Sequence, residues 1–578
     1  MARMLFIALL FIPVQSLLAA NRPNVVLIVT DDQGYGDLGC NGNPKIRTPH
    51  IDHFAKQSVK LTHFHVCPVC SPTRASLMTG RYNYRTGIVD TYLGRSLMYS
   101  DETTIAEILR DAGYRTGIFG KWHLGDNYPL RAIDQGFEES LVCKGGGLTQ
   151  PSDPPGNSYF DPILMHNGKA EKTKGYCSDV FAEAARKFID QDSGKPFFVY
   201  LPFNAPHDPL QVDDKLVEPY LKMNLSADQF PQVGFPLKNL APKEQIARTY
   251  AMIENIDTNL GKLFTLLDDK KIADNTIVIF LTDNGPARAR FNAGLRGLKG
   301  SVFDGGIRVP CFIRWPKQFK GGRELHLPAA HIDLLPTLLH CCGVEVPADL
   351  QLDGRDLFNP LAGKLVEWEN RSLFFQWHRG DEPEKYRAFA VRGPRYKLVQ
   401  PFGAGDQPQR DKWDFMLFDM KNDPYEQKNI AKEHEEIVNE MKLEYSDWFD
   451  DVSGSRGYAP PRIDIGAAAE NPVILTRQDW RGPRAGWRPD DLGHWDVHVE
   501  RDGRYNITVR FSPRPEAGTV TLQLEDVTRE GKLAAKAAEI VFRNVELSRG
   551  DGRLETWLKI GSRNVGANYV EIERAGGD

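Results

Sequence analysis

The sequence predicts an α/β protein with a mostly parallel central sheet flanked by helices, followed by a small antiparallel sheet and an all-β sandwich. Three observations support this fold class. Up to about residue 345, short apolar runs alternate with helical patterns, as in a parallel sheet covered by helices. After residue 346, short strands are separated by turns such as Gly393-Pro394. Beyond residue 470 only alternating strand patterns remain, of which residues 505–511 are the clearest.

The first part of the chain contains four apolar runs with the length and composition of strands buried on both faces. They are residues 24–29, 114–119, 196–201 and 276–281. Between these runs, apolar residues recur at helical spacing in residues 105–112, 180–188 and 246–263. The alternation of strand and helix predicts parallel neighbouring strands joined by helical crossovers.

Length, charge and cysteine content limit the function classes. The chain has 578 residues, which predicts two or three domains, and a net charge of -5. This charge excludes a general nucleic-acid-binding surface, so an anionic ligand must be held by a local cluster of bases. Eight cysteines are too few for a disulfide scaffold, and the sequence does not specify how any of them pair.

The first twenty residues predict a secretory signal peptide. Arg3 is followed by an apolar run, Leu5 to Val14, and by the small pair Ala19-Ala20. The run is shorter than a typical membrane span. We therefore expect a periplasmic or secreted protein, which would be attached to a membrane only if this segment stays uncleaved.

Polar side chains follow each of the four apolar runs. In chain order they are Asp31 and Asp32, then Lys121 and His123, then Asn204, His207 and Asp208, then Asp283 and Asn284. Because the carboxyl ends of parallel strands meet at one edge of a sheet, this edge is the predicted active site. The acids and the asparagine offer oxygen ligands only, which suit calcium or magnesium better than zinc.

Two other motifs do not support a function of their own. Gly34–Gly39 matches G-x-G-x-x-G, but Asp31 and Asp32 would repel a dinucleotide pyrophosphate. Cys67-Pro-Val-Cys70 matches C-x-x-C, but a zinc site would need a second pair of matching spacing, and the chain has none. The second motif lies inside a longer and more informative string.

That string runs from Cys70 to Arg81 and reads C-S-P-T-R-A-S-L-M-T-G-R. It resembles the signature of the formylglycine-dependent sulfatases, arylsulfatase-like enzymes of the alkaline phosphatase superfamily. Further parts of that family's pattern occur in order between residues 24 and 450. They are G-K-W-H-L-G at 120–125, A-P-H-D-P at 205–209, D-N-G at 283–285 and the segment 299–310. The resemblance implies an alkaline-phosphatase-like fold and a sulfuric ester hydrolase.

The resemblance also implies a cofactor chemistry. A maturation enzyme would oxidise Cys70 to Cα-formylglycine, and calcium, with magnesium as the alternative, would bind to the site. The implied metal ligands are Asp31, Asp32, Asp283, Asn284 and the modified Cys70. The hydrated formylglycine would attack sulfur to form a covalent sulfo-enzyme, and its second hydroxyl would then allow sulfate to be expelled.

The basic residues of the motifs receive roles in the same way. Arg74 would fix the formylglycine hydroxyl, and Lys121 and His123 would contact it, with His123 as the base for the elimination. His207 would protonate the departing alcohol, and Lys299 would bind the sulfate. The expected substrate is a sulfated sugar or polysaccharide, or another sulfate ester. Trp377, His378 and Arg379 are candidate substrate-binding residues, and an ordinary surface loop is the alternative for them.

The predicted organisation has five parts. They are the signal peptide (1–20), the α/β catalytic domain (21–345), a C-terminal subdomain (346–455), a linker (456–469) and the β-sandwich domain (470–578). For the last domain we consider two hypotheses, a carbohydrate-binding module and a stabilising or oligomerising domain. Its candidate sugar-stacking aromatics are Trp480, Trp487, Trp495 and Tyr505, while Trp557 is expected in the core.

Two rival functions remain open at this point. A phosphoryl ester hydrolase could use the same scaffold, since sulfate and phosphate esters share their shape. A non-catalytic glycan-binding protein is the alternative from another class.

Overall fold

The computed structural model describes residues 22–364, 370–407, 414–454 and 456–576. The predicted signal peptide lies outside the described residues. Strands β1 to β12 are Asn24–Thr30, Val59–Leu61, Phe64–His65, Arg115–Lys121, Glu139–Cys143, Ile163–His166, Lys169–Lys172, Phe197–Pro202, Thr276–Thr282, Cys311–Arg314, Arg323–Leu325 and Ala329–Ala330. Strands β13 to β16 are Leu373–Gln376, Phe389–Arg392, Tyr396–Gln400 and Met416–Asp419.

The last part of the chain contains strands β17 to β26. They are Ile463–Ile465, Val473–Thr476, His494–Val499, Gly503–Arg510, Gly518–Leu524, Val527–Leu533, Glu539–Leu547, Gly550–Ile560, Arg563–Gly566 and Tyr569–Ala575. Helices α1 to α10 are Pro49–Gln57, Cys70–Thr79, Ile105–Asp111, Cys177–Asp190, Asp214–Lys222, Lys243–Asp269, Asp304–Ile307, Leu334–Cys342, Phe358–Leu361 and Glu435–Gly454.

The central sheet has ten strands in the order β11-β2-β10-β9-β1-β8-β4-β5-β6-β7. The five strands from β9 to β5 in this order are mutually parallel, and β10, β6 and β7 run antiparallel to their neighbours in the sheet. The four predicted apolar runs are four adjacent strands, β9, β1, β8 and β4. The predicted α/β fold with a mostly parallel sheet is confirmed.

Helices cover both faces of this sheet, which explains why its central strands are apolar throughout. Val26 and Ile28 of β1 pack with α1, α4, α5 and α6 on one face. Val25, Leu27 and Val29 pack with α2, α3 and α8 on the other. Two continuous cores therefore fix the central strands, and with them the positions of the strand ends.

A four-stranded antiparallel sheet, β13-β14-β15-β16, follows the α/β region, and α10 packs against it. Buried charges join this sheet to the α/β region. The Lys397 ammonium, on β15, lies 2.6 Å from Asp304 and 2.7 Å from Glu426, and all three side chains are buried. A buried cation between two acids requires both partners, so it fixes how the two parts meet.

The C-terminal region forms two facing sheets, β17-β19-β24-β21-β22 with β25 beside β24, and β18-β26-β20-β23. Strand β17 falls within the predicted linker and pairs with β19. Of the candidate sugar-stacking aromatics, Trp480, Trp495 and Tyr505 are fully buried between the sheets, whereas Trp487 is 38% exposed.

Trp557 was expected in the core of this sandwich, and that expectation is wrong. Leu554, Thr556 and Leu558 alternate along β24 with their side chains buried, so Trp557 lies on the opposite, outer face and is half-buried. All eight cysteines lie in the described part of the chain and are free thiols. None of the described helices is long and apolar enough to span a bilayer.

Candidate active site

The predicted strand-end residues lie together at the carboxyl edge of the central sheet. Asp31 follows β1 and is fully buried, and its Oδ2 lies 2.5 Å from Nζ of Lys121, the last residue of β4. Asp283 follows β9, and its Oδ1 accepts a hydrogen bond from the backbone N–H of Asp32 over 3.3 Å. Parallel neighbours place these groups together, as the strand order requires.

Helix α2 contributes Cys70 and Arg74 to the same edge. Cys70 is the first residue of the helix, and Arg74 is one turn later on the same face. The Arg74 guanidinium donates through Nη2 and Nε to Oδ2 of Asp283, over 2.8 and 3.1 Å, and through Nη1 to the carbonyl oxygen of Lys121 over 2.7 Å. Arg74 therefore ties the start of α2 to two strand ends. Burial raises the pKa of the Cys70 thiol.

The carboxylate of Asp32 lies close to Lys299 and His207. Its Oδ1 lies 2.5 Å from Nζ of Lys299 and accepts a hydrogen bond from Nδ2 of Asn284 over 2.8 Å. Its Oδ2 lies 3.9 Å from Nε2 of His207. Burial, the largest single effect, would raise the pKa of Asp32. The charges of Lys299 and His207 and the hydrogen bonds from Lys299 and Asn284 together outweigh it and hold the pKa below its usual value. Asp32 is therefore an anion in the folded protein.

The two site histidines are each oriented by a backbone carbonyl. His123 Nε2 lies 2.8 Å from the carbonyl oxygen of Thr91, and His207 Nδ1 lies 2.8 Å from that of Asp208. Burial lowers the pKa of both rings. In a neutral ring the nitrogen bonded to a carbonyl carries the proton, so Nδ1 of His123 and Nε2 of His207 are the free basic atoms.

The acids at this edge fit a divalent cation. Ligand atoms of Asp31, Asp32 and His207 lie within 4.8 Å of one another. Oδ1 of Asp31 and Oδ1 of Asn284 are buried and accept no hydrogen bond from any described residue. Burial, and then the charge of Asp31, raise the pKa of Asp283 to about 6. A hard cation would satisfy the bare oxygens and offset this crowding of negative charge.

The candidate substrate-binding residues lie beside this site but differ in their contacts. The indole Nε1 of Trp377 and Nη1 of Arg379 both donate to Oδ1 of Asp90, over 3.0 and 2.6 Å. Arg379 also donates to Oγ1 of Thr91 over 3.0 Å. His378 has both ring nitrogens engaged by backbone groups of its own loop, at 2.8 Å each. Trp377 and Arg379 thus lie near Thr91, whose carbonyl oxygen orients His123, whereas His378 stabilises its own loop.

Several neighbours of the site were missed by sequence reasoning. Thr91 acts through its carbonyl oxygen, which leaves no trace in the residue type. The glycines 145–147 follow β5 at the same sheet edge, and a Cβ on Gly146 would lie 3.1 Å from the His123 ring. A run of three glycines after a strand was a signal that could have been used. Gln478, from the β sandwich, donates to the Thr91 carbonyl oxygen, and nothing in its local sequence indicates this.

Comparison with known proteins agrees with this geometry. Residues 23–344 match the family model described as sulfatase, and residues 298–449 match that for the C-terminal part of N-sulphoglucosamine sulphohydrolase. Arylsulfatase A of Bos taurus is 31% identical, over 73% of this chain and 86% of its own length. N-acetylgalactosamine-6-sulfatase of Canis lupus familiaris is 31% identical, over 63% and 70%.

Among solved structures, that of Ps i-CgsB in complex with k-i-k-neocarrahexaose is similar, with a TM-score of 0.63 and 28% identity, covering 76% of this chain and 95% of that one. The sulfatase model alone covers more than half of the residues. The expected resemblance is therefore confirmed, and the chain belongs to the sulfatase family of sulfuric ester hydrolases.

Proposed function

We propose that this enzyme releases inorganic sulfate from sulfated sugars or polysaccharides, using a Cα-formylglycine made from Cys70. The observation that carries the proposal is the position of Cys70, which opens α2 beside the acids of the strand ends and one turn before Arg74. Two named relatives support a sugar substrate, an N-acetylgalactosamine-6-sulfatase and a structure holding a neocarrahexaose.

The cofactors would be held by residues already at the sheet edge. Asp31, Asp32, Asp283 and Asn284 would bind calcium, or magnesium in its place, together with the modified Cys70. Such a cation would lower the pKa of a bound hydroxyl and neutralise sulfate oxygens. A hydrated formylglycine would supply two hydroxyls on one carbon. One would serve as the nucleophile towards sulfur, and the other would lose its proton as the aldehyde re-forms and the carbon–oxygen bond to sulfate breaks.

The protein's own groups divide between the two ends of the reacting ester. Arg74 and Lys121 lie on the Asp31 and Asp283 side and would orient the nucleophile. His123 would act there as the base through its free Nδ1. Lys299 and His207 both lie at Asp32. They would hold the sulfate and the departing oxygen.

The proton for the departing alcohol would be carried on Nε2 of His207, because Nδ1 is held at the Asp208 carbonyl. Burial lowers the pKa of His207 in the free enzyme. A bound anionic ester would raise it again, so that the ring becomes charged when substrate is present.

Peptide mass spectrometry and turnover of 4-nitrophenyl sulfate test this proposal together. The Cys70 peptide of active protein should show the mass change from thiol to aldehyde, and Cys70→Ala should abolish sulfate release. An unmodified peptide in a fully active preparation would exclude the mechanism. Comparing kcat/KM for 4-nitrophenyl sulfate and 4-nitrophenyl phosphate distinguishes a sulfatase from the rival phosphoryl hydrolase.

Export is a further part of the proposal, supported by the signal-like pattern of residues 1–20. The protein would act in the periplasm or outside the cell. N-terminal sequencing of the mature protein should then begin near residue 21, and a start at Met1 in protein recovered from the cytoplasm would contradict export.

A further inference from the structure

A groove of about 390 Å³ lies between the catalytic region and the C-terminal β sandwich. Thr149, Gln150 and Asn157 line it from the catalytic side, and Trp487, Asn568 and Tyr569 line it from the sandwich. The groove is therefore made jointly by two parts of the chain that lie far apart in sequence.

Gln150 brings the lining of the groove close to His123. A Cβ on Gly146 would lie 3.1 Å from the His123 ring and 2.4 Å from Oε1 of Gln150, so the two side chains lie against the same side of this glycine. Oε1 of Gln150 is buried and has no hydrogen-bond donor among the described residues. A buried acceptor without a donor is costly, and a ligand hydroxyl would satisfy it.

An aromatic contact fixes the sandwich side of the groove. Trp487 meets Tyr92 edge to face, with 5.2 Å between ring centroids, and the Arg379 guanidinium lies 4.2 Å from the Tyr92 centroid. Tyr92 directly follows Thr91, whose carbonyl holds His123. The exposed part of Trp487 is thus held against the rim of the catalytic site, as a rigid surface suited to stacking.

The two charged residues that line the groove, Asp153 and Arg477, are both buried. The Asp153 carboxylate is buried and accepts hydrogen bonds from Thr149 N–H and Asn157 Nδ2, over 2.7 and 2.9 Å. The Arg477 guanidinium donates to the carbonyl oxygens of Ala567, Arg488, Pro489 and Gly566. An aromatic face with amides and hydroxyls, and without an available ion, suits a neutral sugar ring.

We propose that this groove binds an uncharged sugar residue adjacent to the sulfated one, so that the C-terminal β sandwich forms one wall of the substrate cleft. The inference rests on the proposed function, since it assigns a second binding position to the same substrate. It differs from a tethered binding module, because here the sandwich lines the same groove as Gln150, which lies beside His123.

The test compares Trp487→Ala with Trp557→Ala, a matched change in the same domain at a half-buried tryptophan outside this groove. Substrates are 4-nitrophenyl sulfate, and the monosaccharide, disaccharide and tetrasaccharide of one sulfated glycan that the wild type hydrolyses. We expect Trp487→Ala to raise KM about tenfold for the disaccharide and tetrasaccharide. Its kinetics on 4-nitrophenyl sulfate and on the monosaccharide should stay at the wild-type level.

Trp487→Phe should recover most of the lost affinity because it keeps an aromatic face. Equal KM changes in Trp487→Ala and Trp557→Ala would overturn the subsite. So would a KM increase in Trp487→Ala that is no larger for the disaccharide and tetrasaccharide than for the monosaccharide. Wild-type activity on 4-nitrophenyl sulfate alone, with no glycan hydrolysed, would overturn it as well. Absence of any sulfate release by the matured wild type would instead reject the proposed function on which the subsite depends.

Discussion

The side-chain amide of Gln478 donates a hydrogen bond to the carbonyl oxygen of Thr91 over 2.9 Å, and His123 Nε2 lies 2.8 Å from that same oxygen. Gln478 belongs to the β sandwich and is 387 positions from Thr91 in the sequence. Gln478 also binds the loop that contains Thr91 through its backbone, because Gly94 N–H donates to the Gln478 carbonyl oxygen over 2.9 Å. The C-terminal region therefore helps to position His123, the proposed catalytic base.

Gln478→Leu should lower kcat for 4-nitrophenyl sulfate several-fold and leave KM nearly unchanged. The substitution removes the donor that holds the Thr91 carbonyl, so His123 is less well oriented, while the groups proposed to bind sulfate stay in place. Steady-state kinetics measure this, with Gln523→Leu as the control, since Gln523 is exposed in the same domain. A kcat equal to that of the control would show that the contact does not orient His123.

Deletion of residues 456–578 should abolish turnover of both a small aryl sulfate and a polymeric substrate. The truncated protein loses Gln478, and it exposes Leu93, which packs into the core of the sandwich. Activity on both substrates and the melting temperature are the measurements. Full activity on the aryl sulfate with selective loss on the polymer would instead identify the domain as a tethered binding module.

Asp283→Asn should reduce sulfate release at least about 100-fold with an unchanged circular dichroism spectrum. The amide keeps an acceptor for Arg74 but removes one negative charge from the predicted metal site. Metal content per protein molecule should fall in parallel. Thorough chelation of the wild type should abolish activity, and re-addition of calcium or magnesium separately identifies the ion; full activity after chelation would contradict a required metal.

Asp153→Asn should flatten the dependence of stability on pH. Burial raises the pKa of Asp153 to about 7, from an ordinary value of 3.8. The stability contributed by its proton is therefore fully present below about pH 4 and is lost as the pH rises through 7, at a cost of at most about 4 kcal/mol. Melting temperatures should fall more for the wild type than for Asp153→Asn between pH 5 and 8.5. Asp526→Asn, at an exposed position, is the control and should follow the wild type.

Lys397→Met should destabilise the protein by about 3–5 kcal/mol, because it removes the buried cation that bridges Asp304 and Glu426 and leaves Asp304 with the more distant Arg308. Denaturant unfolding measures the loss. The double variant Lys397→Met/Glu426→Gln should recover part of it, since the carboxylate whose ion-pair partner was Lys397 is then replaced by a neutral amide. A single variant as stable as the wild type would show that the buried pair contributes no net stability.

The sequence was sufficient for the central sheet and the residues at its edge. Strands β1, β4, β8 and β9 are buried on both faces, so they appear as uninterrupted apolar runs, and the chemistry follows directly after each run. The residues that position His123 could not be predicted from the sequence, because Thr91 acts through its backbone and Gln478 comes from the far end of the chain. Local patterns carry no information on such contacts.

The β sandwich shows where periodicity alone is insufficient. Trp480, Trp487 and Trp495 are chemically the same, yet only the packing of two sheets decides that Trp487 remains exposed. In β24 the inward positions include the polar Thr556, and the outward ones include Trp557. Hydrophobicity alone would place Trp557 inside and Thr556 outside, but the strict alternation of side chains along the strand places them the other way round.

The long sequence separation between Arg74 and its partner Asp283 determines how late in translation the thiol of Cys70 can be buried. Asp283 is synthesised 209 residues after Arg74. At about 5–20 residues per second this takes about 10–40 s of translation. Until then the edge of the sheet that buries α2 is incomplete, whereas in the finished fold Cys70 is 2% exposed. If Cys70 is oxidised as proposed, the oxidising enzyme would therefore have to reach it on the growing or still unfolded chain, before the fold encloses it.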